Sequence, residues 1–578
     1  MFPPVRCAGA YRSGILRWSR GTERERVKQP ILIIGAGHNS LVTAAYLARA
    51  GYPVRVLERR PTVGGAVHTE ELWPGYRVDT CSSFHVLIHL TGIVEELGLA
   101  NYGLRYQNAD PFAFAPFPDG TALRFYKDVD RTCAEIARIS PRDAETYRAF
   151  VGLWSRFNEA VFGAFTAPPA PRDMFPAILK RIGHDLPKQL RLGRPETLLQ
   201  TVFKPYGALL DELFESEQVR APLAWLAAQS GPGPDDVGGG AFLTAHTIYH
   251  TVGLTRPIGG SGMLSEALAA CIRDHGGEVV TDAPVRRILV RDGRVRGVDL
   301  ATGERMDASV VVSGAHVQTT MLDLIAVDDL PASLRRRVAS LRIANGMGMT
   351  IRCATETLPR YPDAPDDVHN GMQLICPTVD YLRRTRDEAA TGVPPTNPAL
   401  VVMTPTATDT TIAPPDKHIT VIWAQYHPFD LAPGAGTWAA IRQSEGRKLL
   451  ATLEPYAPGI TDVVTETYLK SPLDLQEENG LIRGHLMHLD MALDQLFMFR
   501  PLPELANYRT PIGGLYLTGA SMHPGGGVSG APGKNTATIM LRDLAGNAPR
   551  RWVRPAGLAI GGAAVALLVN HRAARRHT

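Results

Sequence analysis

Apolar positions in this chain fall into two kinds of run: short unbroken blocks of branched residues, and longer stretches rich in Ala and Leu. The first block, Ile31-Leu32-Ile33-Ile34, contains no polar position. That is the pattern of a parallel strand covered on both faces. A glycine-rich turn follows, then Leu41–Ala50, whose Ala and Leu content reads as a helix stopped by Gly51. Val54-Arg55-Val56-Leu57 is the next strand. Strand, turn, helix and strand within about 30 residues predict a parallel βαβ unit of the Rossmann type.

Residues 90–250 read as mostly helical, with proline-rich breaks at 167–171 and 231–236. A second α/β stretch runs from Met263 to about Val312. It holds a helix over Leu264–His275, then short strands at 278–280, 287–291, 295–300 and 309–312, with Asp292-Gly293 as a hairpin turn. Strand-like runs such as Ile419–Gln425 recur between 345 and 470. Leu515-Tyr516-Leu517 is the last strong strand; a glycine-rich loop and a helix through Leu544 follow it.

Composition narrows the class. The chain has 578 residues, 44% hydrophobic and 20% charged, which describes a globular protein of several domains. A net charge of +4 is too small for this length to imply nucleic acid as a partner. None of the six cysteines forms a CxxC pair, which argues against a disulfide framework, a zinc site and a dithiol redox centre. The expected metal content is none. Residues 1–29 are Arg-rich and acid-poor up to Glu23, and read as a basic disordered tail or a transit peptide. Near the other end, Ala556–Val569 is apolar with arginines on both sides, too short for a typical span. It reads either as an interfacial helix giving peripheral membrane contact or as a docked or frayed tail. The expected location is the cytoplasm, or the mitochondrial matrix in a eukaryotic source.

The chemistry begins at Gly35-Ala36-Gly37-His38-Asn39-Ser40. A dinucleotide turn needs its first glycine for tightness and its second for close approach of the backbone to a pyrophosphate. The following helix start then offers free N–H groups and partial positive charge. Gly or Ala normally fills the third position, for close helix–strand packing; Ser40 is small enough to serve. Glu58 ends the next strand and is placed to accept hydrogen bonds from a ribose hydroxyl. An acid there disfavours a 2′-phosphate, so NADP is unsuitable while NAD and FAD remain.

Arg59-Arg60-Pro61-Thr62-Val63-Gly64-Gly65-Ala66-Val67-His68-Thr69 resembles the second motif of flavoproteins with two dinucleotide-binding domains, such as amine oxidases and phytoene desaturases. Many members carry Arg where this chain has Ala66, which removes one phosphate partner. The run Gly513 to Gly533, through Gly519-Ala520-Ser521-Met522-His523-Pro524-Gly525-Gly526-Gly527-Val528, looks like the phytoene desaturase-related group. Within that group it is most similar to the pyridine nucleotide-disulphide oxidoreductase domain-containing protein 2 type. The resemblance covers about residues 30–545 and implies FAD as cofactor. It implies contacts from Gly35, Ala36, Gly37, His38, Asn39, Ser40, Glu58, Arg59, Gly64, Gly65, Ala66, Val285, Gly519, Ala520, Gly527 and Val528. It also implies a discontinuous FAD-binding domain (30–89, 251–320 and 505–548) with a mixed α+β substrate domain (90–250 and 321–504) inserted, and a C-terminal tail from 549. A true disulphide reductase needs a reactive cysteine pair and a second nucleotide site, and the sequence offers neither.

A flavin needs few side chains for its chemistry, since the ring accepts the hydride. His523 in the third glycine run is a candidate to tune the ring or move a proton, or is a structural loop residue. Asp79 is a candidate to line the substrate side, or caps a turn. His85, His89, His427 and His485 are scattered and read as ordinary. Phe157, Phe162, Phe165, Phe175, Trp225 and Phe242 suit either a tunnel for a lipophilic substrate or a helical core. The leading expectation is an FAD-dependent dehydrogenase or oxidase acting on C–H bonds of an apolar small molecule. The alternatives are a flavin amine oxidase and an FAD-binding protein with a regulatory role.

Overall fold

The computed structural model describes residues 29–182 and 195–547. The basic N-terminal stretch and the apolar Ala556–Val569 run lie outside these residues.

Strand β1 (Ile31–Ile34) is the centre of a five-stranded parallel sheet with β2 (Val54–Leu57), β3 (Glu278–Val280), β4 (Val311–Ser313) and β5 (Leu515–Leu517). Their spatial order is β3-β2-β1-β4-β5, with Ile33 opposite Val56 on one side and Val312 on the other. The unbroken apolar character of β1 now has its reason. Ile31 and Ile33 pack on helices α1 (His38–Arg49), α2 (Met263–Asp274) and α3 (Ala531–Arg542). Leu32 and Ile34 pack on the other face, against a three-stranded antiparallel meander over 285–307. Each fully buried branched side chain here contributes about 1.5–3 kcal/mol. Strand order reverses between β1 and β4, and ligands of such sheets bind outside the carboxyl ends of the strands at that switch point. Residues 35–40, 58–66, 314 and 518–530 all leave carboxyl ends of these strands.

A second sheet of seven strands runs in the order 464–470, 348–355, 418–425, 400–403, 372–375, 113–116 and 122–125. It is antiparallel except where Met372 lies opposite Ala113 in a parallel pair. The region 90–250 is mostly helical as expected, with three strands between Tyr106 and Phe125 that the sequence reading lacks. They are four residues each: 106–109 pairs with the distant 254–257, and 113–116 pairs with the distant 372–373 as well as with its hairpin neighbour 122–125, so local pattern does not announce them. The rest of that region is helical. Pro141–Phe165 is its longest helix, opened by Ser140, whose Oγ accepts Asp143 N–H. Phe162 and Trp225 fall in the core of this region, whereas Phe175 is 63% exposed. Among the described residues no helix is long and apolar enough to cross a membrane.

Candidate functional site

The first glycine loop turns with Gly35 at φ +84° and delivers the chain to α1, whose N-cap is Gly37. No side chain caps this helix and its first turn holds no acid. Its first N–H groups and positive end are therefore available to an anion. A Cβ built on Gly35 or Gly37 meets nothing within 4 Å, so the space above the loop is open. Around it, His38 Nε2 and Asn39 Oδ1 are buried without a hydrogen-bond partner among the described residues. Open space over an uncapped helix start, edged by orphaned polar atoms, fits the diphosphate of a dinucleotide.

Ser40, the departure at the third motif position, is accommodated from the far side. A Cβ on Gly314, just past β4, would stand 1.9 Å from Ser40 Oγ. The missing side chain at Gly314 makes room for the hydroxyl at 40, so close helix–strand packing survives.

The second loop is stitched to the first. Gly64 N–H donates to Ala36 O at 2.8 Å, and a Cβ on Gly65 would lie 3.3 Å from Gly37 Cα. Glu58 binds the two loops together: its Oε2 accepts Ala36 N–H at 2.6 Å and its Oε1 accepts Arg60 N–H at 3.0 Å. Where relatives of this motif carry Arg, Ala66 is half-buried; a cation reaches the loop from elsewhere, with Arg60 Nη1 3.5 Å from Gly65 O. Val285 opens the meander two residues after Ala283, whose N–H donates to Glu58 O at 2.7 Å. A cleft of about 720 Å³ opens here, lined by Arg59, Arg60, Pro284, Tyr468, Glu477 and Glu478 among others. Arg59 donates to Glu477 O and Asn479 Nδ2 donates to Gly65 O, both at 3.2 Å. Segment 477–480 therefore seats on the second loop.

The third loop closes onto the first. A Cβ on Gly533 would come 2.2 Å from Asn39 O, and Thr43 Oγ1 lies 3.2 Å from Thr518 Oγ1. Gly519 passes Gly314 closely, and Thr518 N–H donates to Ser313 O. The structure thus brings all three glycine passages side by side. Val528 holds φ +55°, a strained value for a β-branched residue, of the sort that persists where surroundings over-determine it. Gly527 rests against Leu87. Arg500, fully buried, donates Nη2 to Ala520 O at 2.9 Å and to Met487 O, and Nη1 to Asp490 O and Gln495 O. It fastens residues 487–495 across this loop, a role that its position in the sequence does not signal.

His523 lies where the third loop meets the helical region. Its Nε2 is 3.2 Å from Ala164 O, and its ring sits between Phe165 and Phe497 with centroids 5.8 and 5.5 Å away. Burial pushes its pKa down to about 4, so it is neutral at physiological pH. Asp79 is fully engaged. Its carboxylate accepts from Arg256 Nη2 at 2.7 Å, Ser261 N–H at 2.8 Å and Thr69 Oγ1 at 2.6 Å, with Asp409 on the far side of Arg256. Both oxygens are spent on this buried network, which gives Asp79 a framework role in place of a substrate-facing one. Cys81, Cys133, Cys271, Cys353 and Cys376 are free thiols, and burial raises Cys353 to about 12.

His38 and His488 share a telling property. Burial pushes His38 down to about 4 and His488 well below the usual imidazole value, yet both keep part of their surface open. The charge of His38 bears on His488, so the two rings, one at the first loop and one over the third, lie near each other.

Residues 41–428 match the family described as flavin containing amine oxidoreductase. The chain is 32% identical to the mouse pyridine nucleotide-disulfide oxidoreductase domain-containing protein 2, over 89% of its own length and 93% of the mouse protein. It is 27% identical to the lycopene-forming phytoene desaturase of Pantoea ananas, over 89% of this chain and 100% of that enzyme. Among solved structures, a redesigned putrescine oxidase aligns with a TM-score of 0.58 at 18% identity, covering 89% of this chain and 99% of that one, a likeness of fold. The chain belongs to the family of flavin containing amine oxidoreductases and phytoene desaturases, and it is an FAD-dependent oxidoreductase.

Proposed function

We propose that FAD runs along the three glycine passages, with its diphosphate over the start of α1 and its ring system against residues 519–530. We propose further that the enzyme removes hydride from a C–H bond of an apolar small molecule. When bound, the flavin supplies a two-electron acceptor. Glu58 is placed for the ribose, the uncapped start of α1 for the diphosphate, and Arg500 for holding the third passage in shape. Residues 90–250 and 321–504 form the substrate side.

The observation that carries the substrate class is the wall around the third loop. Leu87 faces Gly527, Met491 and Met487 face Gly525 and Gly526, and Phe165 and Phe497 flank His523. The charged side chain reaching this loop is the Arg500 guanidinium, a cation. Apolar walls beside a buried cation favour a hydrocarbon-like substrate over an ammonium-bearing amine. Such a substrate partitions into lipid, so peripheral contact with a membrane surface belongs to the same proposal.

Anaerobic mixing of the flavin-loaded protein with isoprenoid hydrocarbons and with primary amines tests this. Bleaching of the flavin band by the hydrocarbons is the expected result. Bleaching by amines alone would overturn it, and no bleaching by any donor would point to a regulatory protein.

A further inference from the structure

We propose that His488 is the proton acceptor of this site, taking at Nε2 the proton that substrate oxidation releases while the cofactor takes the hydride. The inference rests on FAD occupying the three-loop site.

Position comes first. Residues 485–491 lie across the third loop: a Cβ on Gly526 would come within 2.8 Å of Leu486 O and 3.1 Å of Met487 Cα. Arg500 locks this roof in place through Met487 O and Ala520 O. His488 belongs to the roof, is only partly covered, and lies close enough to His38 for the two to interact electrostatically.

Orientation comes second. His488 Nδ1 lies 3.0 Å from Ser521 Oγ, a side chain of the third loop itself. Ser521 Oγ also accepts Val317 N–H at 3.1 Å. In the tautomer with Nδ1–H donating to Ser521 Oγ, the Nε2 lone pair is free, and no hydrogen-bond partner stands at Nε2 among the described residues. The ring stacks on His316, centroids 5.1 Å apart and planes 27° from parallel. His316 is itself fixed: its Nδ1 accepts Gln318 N–H at 3.1 Å, so its Nε2–H donates to His488 O at 3.0 Å. All this holds His488 at φ +64°, a left-handed conformation that a non-glycine residue keeps only at a cost. A strained backbone, a stacked ring and one tethered nitrogen leave a single free nitrogen aimed by its surroundings.

Charge comes third. The groups bearing on His488 are His316, Arg500, His485 and His38, and with burial they keep it neutral. Asp490 on the same segment is 3.7 Å from His485 Nε2. A neutral imidazole is ready to accept. Reduction of the cofactor adds negative charge nearby, which favours the imidazolium and drives the uptake. The step balances. Loss of two hydrogens from adjacent carbons leaves a double bond; one hydrogen leaves with both electrons of its bond for the cofactor, and one proton goes to Nε2 and then to solvent.

The test needs no substrate: dye-equilibrated redox titration of the flavin-loaded protein at several pH values around neutrality. The account expects two protons per two electrons in the wild type, and one in His488→Asn and His488→Gln, which halves the dependence of the midpoint potential on pH. Flavin content and melting temperature serve as fold controls. A one-proton dependence in the wild type, an unchanged two-proton dependence in either variant, or loss of flavin from both variants would overturn the proposal. Protein purified without flavin would instead overturn the site reading beneath it.

Discussion

Glu58 does its work through position as much as charge. One carboxylate ties Ala36 N–H on the first loop to Arg60 N–H on the second, within 3.0 Å of each. Glu58→Ala removes a charged acceptor from backbone donors and from the ribose hydroxyl proposed here. Hydrogen bonds to charged groups contribute about 1.5–3 kcal/mol, so FAD binding is expected to weaken roughly ten- to hundred-fold. Reconstitution of apoprotein with FAD, followed by flavin fluorescence, reads this directly; unchanged affinity would mean that Glu58 only shapes the loops. Glu58 was legible in the sequence because its spacing from Gly35 is a local property of a βαβ unit. Gly314, Arg60 and Arg500 were not. Gly314 meets Ser40 only in the folded sheet, Arg60 acts through a backbone carbonyl within its own loop, and Arg500 fastens loops by carbonyl contacts that leave no pattern in side-chain type. His488 escaped for the same reason: its partner Ser521 is a common residue in a loop read for its glycines.

At the scale of elements, the site depends on how closely α1 and α3 approach. Gly533 admits Asn39 O at a distance no Cβ tolerates. Gly533→Ala is expected to push the helices apart at a cost of about 1–3 kcal/mol, seen as a lower melting temperature together with lower flavin content. Gly314→Ala collides with Ser40 Oγ. If that collision is the whole cost, the double change with Ser40→Ala recovers much of the lost stability, and additive losses would contradict it. The five-stranded sheet was legible because its strands are apolar blocks next to glycine turns. Helix α1 begins at His38, three residues before the expected Leu41, since the polar His38-Asn39-Ser40 gives no apolar signal while the chain already has helical geometry. The strands at 106–125 were missed because each is four residues long, and two of them lean on distant partners, 254–257 and Met372-Gln373.

For the whole molecule, buried neutral histidines predict an acid-sensitive fold. Burial holds His523 and His316 near 4, and His485 and His427 near 3, all below the unfolded value of 6.5. A lowered pKa means the unfolded chain binds more protons, so stability is complete above pH 6.5 and falls as pH drops towards the folded values. One such histidine costs about 2 kcal/mol between pH 6.5 and 5. Melting temperature is therefore expected to fall between pH 7 and pH 5. His427, whose ring nitrogens make no hydrogen bond among the described residues although Nε2 lies 3.9 Å from Glu445 Oε2, is the residue whose replacement by Leu should shrink that fall; a flat profile would show that these rings do not titrate on unfolding.

The central claim is that three separated glycine passages embrace one flavin nucleotide, and Gly37 tests it best. Its backbone has an ordinary extended conformation, and a methyl group there meets only open space. Gly37→Ala should leave the melting temperature of the apoprotein unchanged. The measurement is the ratio of bound FAD to protein in wild type and Gly37→Ala. The account predicts one FAD per chain in the wild type and its loss in the variant; full flavin content in Gly37→Ala would contradict it.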